Sequence, residues 1–426
     1  MPDGSSTAHL YRPKLATVLG EGYGLAALRR DALAGLTVAI VALPLSMAIA
    51  VASGVAPERG LYAAIVGGFF VSALSGSRFQ IGGPAGAFVV LVAATVARFG
   101  LEDLVLTVML SGVMLAIIGA LRLGSLVRHI PHAVTVGFTG GIAVTILASQ
   151  LKDLGGLHLS GPEPGPFIPK LTALAAATST AQPVSLALGL CVAASILALR
   201  RHRPSWPGML IAVVAASVLA AFLGPSIETI GSRFGGVPHG LPAPQFPHLS
   251  LGQIAKVFPT ALSFALLGGI ESLLSAKVAD GMTGRKHRSN MELVAQGVAN
   301  IASALFGGIS VTGTIARTAT NVRAGARSPV SGMLHSAFLL LFMLLAAPLA
   351  SYIPLAALAG VLVVVCWNMT EKAEFLRLAR QWHTALVLFA TFGLTLLRDL
   401  TTGIVVGCAA AAMLAWLRFP VDEEGY

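Results

Sequence analysis

Apolar stretches of about 17 to 25 residues recur along this chain. Two are cut short behind glycine: Gly82-Gly83-Pro84-Ala85-Gly86-Ala87-Phe88 and Gly313-Thr314-Ile315-Ala316-Arg317-Thr318. A helix of the full length crosses a bilayer, whereas a membrane strand would alternate polarity over about ten residues. With 11% charged residues against the roughly 25% of soluble domains, the fold class is an all-α, multi-spanning membrane protein. Its lipid bilayer is therefore its first partner.

The stretches fall at 31–53, 60–76, 84–97, 103–121, 130–150, 183–199 and 207–223, then at 256–280, 290–308, 313–322, 328–350, 354–370, 382–397 and 402–418. That makes fourteen expected spans, the interrupted ones third and tenth. Residues 15–28 set Leu15, Val18, Leu19, Gly22, Leu25 and Ala26 on one face, which predicts an amphipathic helix within a cytoplasmic amino-terminal segment, 1–30. With that end inside, the inside loops carry Arg12, Lys14, Arg29, Arg30, Arg78, Arg122, Arg128, Arg200, Arg201, Arg203, Arg285, Lys286, Arg288, Arg323, Arg327, Lys372, Arg377, Arg380 and Arg418. Those are nineteen of the 28 basic residues, the asymmetry expected of cytoplasmic loops. One missed span would reverse half of the assignments. The long Gly/Pro-rich loops 151–182 and 224–255 then lie outside, both termini are cytoplasmic, and the location is the inner (plasma) membrane.

Seven is odd, so the second set of seven spans runs opposite to the first, the inverted repeat of many secondary transporters. The short segments then become two helix starts facing each other in mid-membrane, with unsatisfied N–H groups and about half an elementary charge of positive dipole each. Pro84 suits a first helical turn, and Thr312 or Thr314 is the candidate cap of the second. Such an arrangement binds anions, although Gly-rich helix contacts would leave the same trace.

Arg317 favours the anion. Near mid-membrane a cation costs roughly 2.5 to 3.5 kcal/mol on the insertion scale, and a helix start opposes it further. Its partner is either a carboxylate or a bound anion. Asp280 and Glu292 lie near span ends and read as interfacial, leaving Glu271, with Ser275 on its face, as the acid well inside a span. Glu271 is a candidate proton or cation site, or the other half of a permanent salt bridge with Arg317.

Several classes are excluded. The formal charge of +10 sits in short runs between spans, without an aromatic-interleaved basic patch, so nucleic acid is not a partner. Cys191, Cys366 and Cys408 fall in apolar stretches without metal or disulfide spacing and are expected to be packing residues. No HExxH, GxSxG or P-loop pattern points to an enzyme, and no metal or organic cofactor is implied. Residues 1–30 lack a cleavable signal sequence, so span 1 is expected to direct insertion.

Asp31-Ala-Leu-Ala-Gly-Leu-Thr-Val, Leu43-Pro44 as a break in span 1, Gly54-Val-Ala-Pro57-Glu-Arg-Gly60-Leu61-Tyr62, the Gly82 opening, Ile130-Pro131, Gly137-Phe-Thr-Gly-Gly141 and Ala316-Arg-Thr-Ala-Thr-Asn321 resemble the sulfate permease (SulP) family of anion transporters. Its animal branch includes pendrin and prestin. The resemblance runs from about residue 30 to 418. It implies the seven-plus-seven fold of uracil permease, with a mobile core domain (31–122 and 256–350) carrying substrate past a gate domain (123–223 and 351–418). The lining it implies is Leu45, Ile49, Ala87, Phe88, Ile315, Ala316 and Arg317, with Glu271 for proton coupling. Prestin-like members have a polar residue in place of Leu45 and a serine in place of Ala316, so this pocket is the more apolar. Family members continue into a STAS domain, whereas this sequence stops eight residues after Arg418, so 419–426 is expected to be a cytoplasmic stub.

The function these readings imply is secondary active anion transport by alternating access. The preferred expectation is proton-coupled uptake of a dicarboxylate such as fumarate or succinate. Sodium-coupled bicarbonate transport and proton-coupled sulfate transport stand as alternatives, then an anion channel or a nucleobase permease. A homodimer is compatible with all of them.

Overall fold

The computed structural model describes residues 11–124, 131–161, 163–204, 206–223, 227–247, 250–398, 400–417 and 419. Arg128, Ile130, Arg418, the first ten residues and residues 420–426 of the expected stub lie outside them.

The first half runs α1 (Lys14–Gly20), α2 (Leu25–Ala52), α3 (Pro57–Tyr62) and, after a π-helical stretch over Ala63–Gly67, α4 (Gly68–Leu74). Strand β1 (Gly82–Gly83), a 3-10 turn (Gly86–Phe88), α5 (Val89–Ala120), α6 (His132–Gly155), α7 (Phe167–Ala176), α8 (Pro183–His202), α9 (Gly208–Leu223) and α10 (Ile230–Phe234) follow. The second half is α11 (Leu251–Thr283), α12 (Ser289–Leu305), β2 (Thr312–Gly313), α13 (Ile315–Arg323), α14 (Val330–Ala350), α15 (Leu355–Met369), α16 (Lys372–Leu378), α17 (Trp382–Leu397) and α18 (Leu400–Trp416).

Each of the fourteen expected stretches holds a helix, and seven helices among the described residues are long and apolar enough to cross a bilayer on their own. Local sequence explains the ends. Ser250 accepts a hydrogen bond from Gln253 N at 3.2 Å to open α11, and Gly284, at φ 67°, closes it. Spans 3 and 4 are divided inside α5 at Gly100, whose φ of 84° and ψ of −179° only glycine adopts readily.

Three expectations change. The amphipathic helix over 15–28 is only the short α1, because the chain leaves helical geometry at Gly22 (φ 89°) and α2 takes up Leu25 and Ala26. Pro44 does not break span 1, since α2 runs on through it and forfeits only the bond its missing N–H would make. Cys366 is buried as a packing residue, but Cys191 is exposed on α8.

The repeat is visible in the packing. Helix α2 lies on α14 as α11 lies on α5, α12 packs on α5 as α4 packs on α14, and α6 meets α17 as α15 meets α8. Each of these three pairings has its counterpart when the halves exchange, as an inverted repeat requires. The charge-derived sides also hold together. Arg78 pairs with Glu21, Arg288 donates to Arg12 O, and Arg200 donates to Asn368 at 2.8 Å, all between loops read as inside. Arg233 pairs with Asp153 at 2.7 Å between loops read as outside.

Candidate functional site

The glycine-opened segments meet in the middle of the bundle. Gly82 pairs with Gly313 and Gly83 with Thr312 in a two-residue antiparallel ladder, extended by Thr314 N donating to Ile81 O at 3.0 Å. So short a ladder needs support on both flanks, and buried side chains supply it. Thr312 Oγ1 donates to Gly268 O (3.1 Å), Gln80 Nε2 to Ser272 O (3.0 Å), and Ile81 N to Thr318 Oγ1 (3.1 Å). Asn300 brackets Val311 through both its amide atoms, at 2.7 and 2.9 Å. Irregular backbone at membrane depth is tolerated only where protein satisfies it in this way. A Cβ on Gly83 would run into Arg317 Nη1, so any side chain there would push the guanidinium aside.

A helix begins beyond each strand. Ala85 (φ −117°, ψ 146°) and Thr314 (φ −108°, ψ 123°) are extended, and no side chain caps the turn at Gly86 or the start of α13. The capping expected of Thr312 or Thr314 is absent: Thr312 bonds Gly268, and Thr314 Oγ1 donates to Ile81 O at 3.4 Å. Thr314 is still the residue at the cap position. Two helix starts thus leave their N–H groups to whatever occupies the space before them.

Arg317 is 2% exposed and turns inward rather than along α13. Its Nη2 donates to Ser46 Oγ (3.2 Å) and to Pro84 O (3.3 Å), tying α13 to α2 and to the start of the α5 segment. Nε and Nη1 are buried without a partner. No ion pair joins Arg317 to Glu271 among the described residues, so the permanent salt bridge is not formed. Glu271 is half-buried.

The remaining expected lining residues divide into two groups. Leu45, Ile49, Ala87 and Phe88 are closed in, and Phe88 packs against Phe264 with ring centroids 5.5 Å apart. Ile315 and Ala316 are exposed at the start of α13. Helix α13 touches both α2 and α11, and the Gly86 turn touches α11, so the four elements surround one place.

Sequence reasoning missed the polar groups behind it. Glu292 is not interfacial: fully buried, it accepts hydrogen bonds from Ser75 Oγ, Gly76 N (3.0 Å), Ser272 Oγ (3.2 Å) and Gln296 Nε2 (3.2 Å). His335 is buried on α14 with both ring nitrogens unpartnered. Ser46, one residue past Leu45, and Thr318, one past Arg317, were signalled only by adjacency to residues already chosen.

The sequence profile of the sulfate permease family matches residues 28–391. YvdB of Bacillus subtilis (strain 168), named as a sulfate transporter, is 43% identical over 401 residues, covering 94% of this chain and 75% of YvdB. The transmembrane domain of a cyanobacterium bicarbonate transporter, BicA, superposes with a TM-score of 0.81 at 32% identity, covering 89% of this chain and 98% of that one. Murine Slc26a9, an anion transporter solved in the inward-facing state, gives a TM-score of 0.86 at 18% identity over 98% of this chain and 73% of its own, a likeness of fold alone.

Proposed function

The chain belongs to the sulfate permease family and is a multi-pass membrane anion transporter, and from that premise we propose that it takes up a small inorganic oxyanion, sulfate before bicarbonate, by alternating access. The observation that carries the reading is the juxtaposition of two uncapped helix starts with the buried Arg317, whose Nε and Nη1 have no hydrogen-bond partner among the described residues. A positive site made of dipoles and one guanidinium suits a compact anion. YvdB's name favours sulfate, and BicA's favours bicarbonate as the second reading. Neither name supports the dicarboxylate expected from the sequence, and the closed packing of Leu45, Ile49, Ala87 and Phe88 leaves little apolar surface to hold a carbon chain.

In this reading the anion rests before α13 and the Gly86 turn, beside Ile315, Ala316 and Arg317. Helices α2, α4, α5 and α11 to α14 pack chiefly on one another, and α6, α8, α9, α15, α17 and α18 do likewise, which supports a core moving as a body past a gate. Glu271, half-buried and without an ion-pair partner among the described residues, takes a proton on the outside and releases it inside, so that the proton gradient drives uptake. The face bearing α1 is cytoplasmic, in keeping with its arginines.

The test is a labelled-anion panel in proteoliposomes, comparing sulfate, bicarbonate, chloride and fumarate under imposed proton or sodium gradients. Saturable sulfate uptake that rises with an inward proton gradient is expected. Sodium-driven bicarbonate uptake without sulfate uptake would replace the reading with its alternative, and fumarate as the preferred substrate would overturn the oxyanion assignment.

A further inference from the structure

A second positive site lies on the face that carries α1 and shares none of its lining residues with the two helix starts. A cavity of about 390 Å³ there is lined by Arg30, Arg78, Arg285 and Arg327, with Tyr23 and Ser328 offering hydroxyls. The four arginines come from four separate places: the start of α2, the loop before β1, the α11–α12 connection and the α13–α14 connection. Chain segments distant in sequence have thus been brought together to concentrate like charge, which raises the energy of an empty site.

The opposing charge is incomplete. Glu21 lines the cavity and holds Arg78 in a two-pronged pair. Asp31 is committed to Tyr23 Oη (2.8 Å), to Arg327 N (2.6 Å), and to Ser328 through its N (3.2 Å) and Oγ. Arg30, Arg285 and Arg327 have no ion pair among the described residues. Arg78 has only 10% of its side chain exposed, and its Nε is buried without a partner. Lys14 is held below the usual lysine range by burial, and then by the charges of Arg288 and Arg78, which outweigh the opposing pull of Asp280.

We propose that this pocket binds a phosphate oxyanion, either free phosphate or the phosphate of an anionic phospholipid headgroup. Guanidinium forks match phosphate oxygens two at a time, and at least three are available. The cavity exceeds what one phosphate fills, so a phospholipid headgroup can enter the same place. Bound there, the phosphate clamps the α1–α2 junction to the loops that anchor β1 and α13, and so braces the transport site from behind.

The experiment is thermal unfolding of the whole chain in nanodiscs. One arm titrates inorganic phosphate into neutral phosphatidylcholine discs at constant ionic strength, with chloride as the control. The other replaces part of the phosphatidylcholine with cardiolipin. A saturable rise in the unfolding midpoint of about 2–5 °C is expected in one arm or both. The arm that responds identifies the source. Arg78→Gln breaks the pair with Glu21 and can fail to fold, so the paired variant Arg285→Gln/Arg327→Gln, at exposed positions, carries the test; it should weaken the response at least tenfold. No rise in either arm, or a full rise in that variant, would overturn the proposal.

Discussion

At the scale of single residues the account rests on Arg317. A guanidinium with 2% exposure and two long bonds is under-satisfied, and the anion proposed at the neighbouring helix starts would supply the opposite charge it lacks. Arg317→Lys keeps the charge but loses the planar fork, and initial uptake rates should fall at least tenfold, about 1.4 kcal/mol of transition-state stabilisation. Gly83→Ala should do the same without touching the charge, since the new methyl meets Nη1. For Glu271→Gln, uptake should no longer respond to an imposed pH gradient while anion exchange persists; a retained response would remove Glu271 from coupling. Arg317 and Glu271 were legible because charge within an apolar run is conspicuous. Ser46, Gln80 and Thr318 were not, because small polar side chains in helices and loops satisfy themselves in many ways and leave no pattern. Glu292 misled for a related reason: its place near a span end says nothing of the four donors that fold around it.

At the scale of elements, close helix contacts hold the two short helices in place. Gly297 of α12 lies so near α5 that a Cβ would approach Ala116 N and Gly112 O to 2.6 Å. Gly297→Leu should therefore separate α5 from α12 at a cost of about 1–3 kcal/mol, read as a lower unfolding midpoint in detergent, with Gly297→Ala intermediate. Apolar length and charge asymmetry revealed the helices in order, because bilayer thickness and loop charge act directly on sequence. Hydropathy could not reveal the ladder of Gly82 with Gly313, for two-residue strands have no period to detect. The expectation of two helix starts facing each other brought the segments together but did not foresee the ladder between them. The contraction of the 15–28 helix to α1 marks the opposite limit: a helical face can be drawn through Gly22, but the backbone does not follow it.

At the scale of the whole molecule, the proposed mechanism has one group of helices move past the other. Gly86, at the turn before α5, and Met369, at the end of α15, face each other across that boundary, a Cβ on Gly86 standing 3.2 Å from Met369 Sδ. With Cys191, Cys366 and Cys408 replaced by serine, Gly86→Cys/Met369→Cys joined by a short bis-methanethiosulfonate reagent, which links the thiols through disulfides, should stop uptake, and reduction should restore it. Continued uptake with the cross-link complete would reject movement at this boundary. The inverted architecture was readable from an odd span count per half, whereas the substrate was not, since helix dipoles and a guanidinium report charge and leave the identity of the anion to fine fit. The most direct measurement is labelled-sulfate uptake into proteoliposomes by the native chain and by Arg317→Gln at equal incorporation. The account predicts saturable uptake by the native chain and uptake near background for the variant; equal, saturable uptake by both would contradict it.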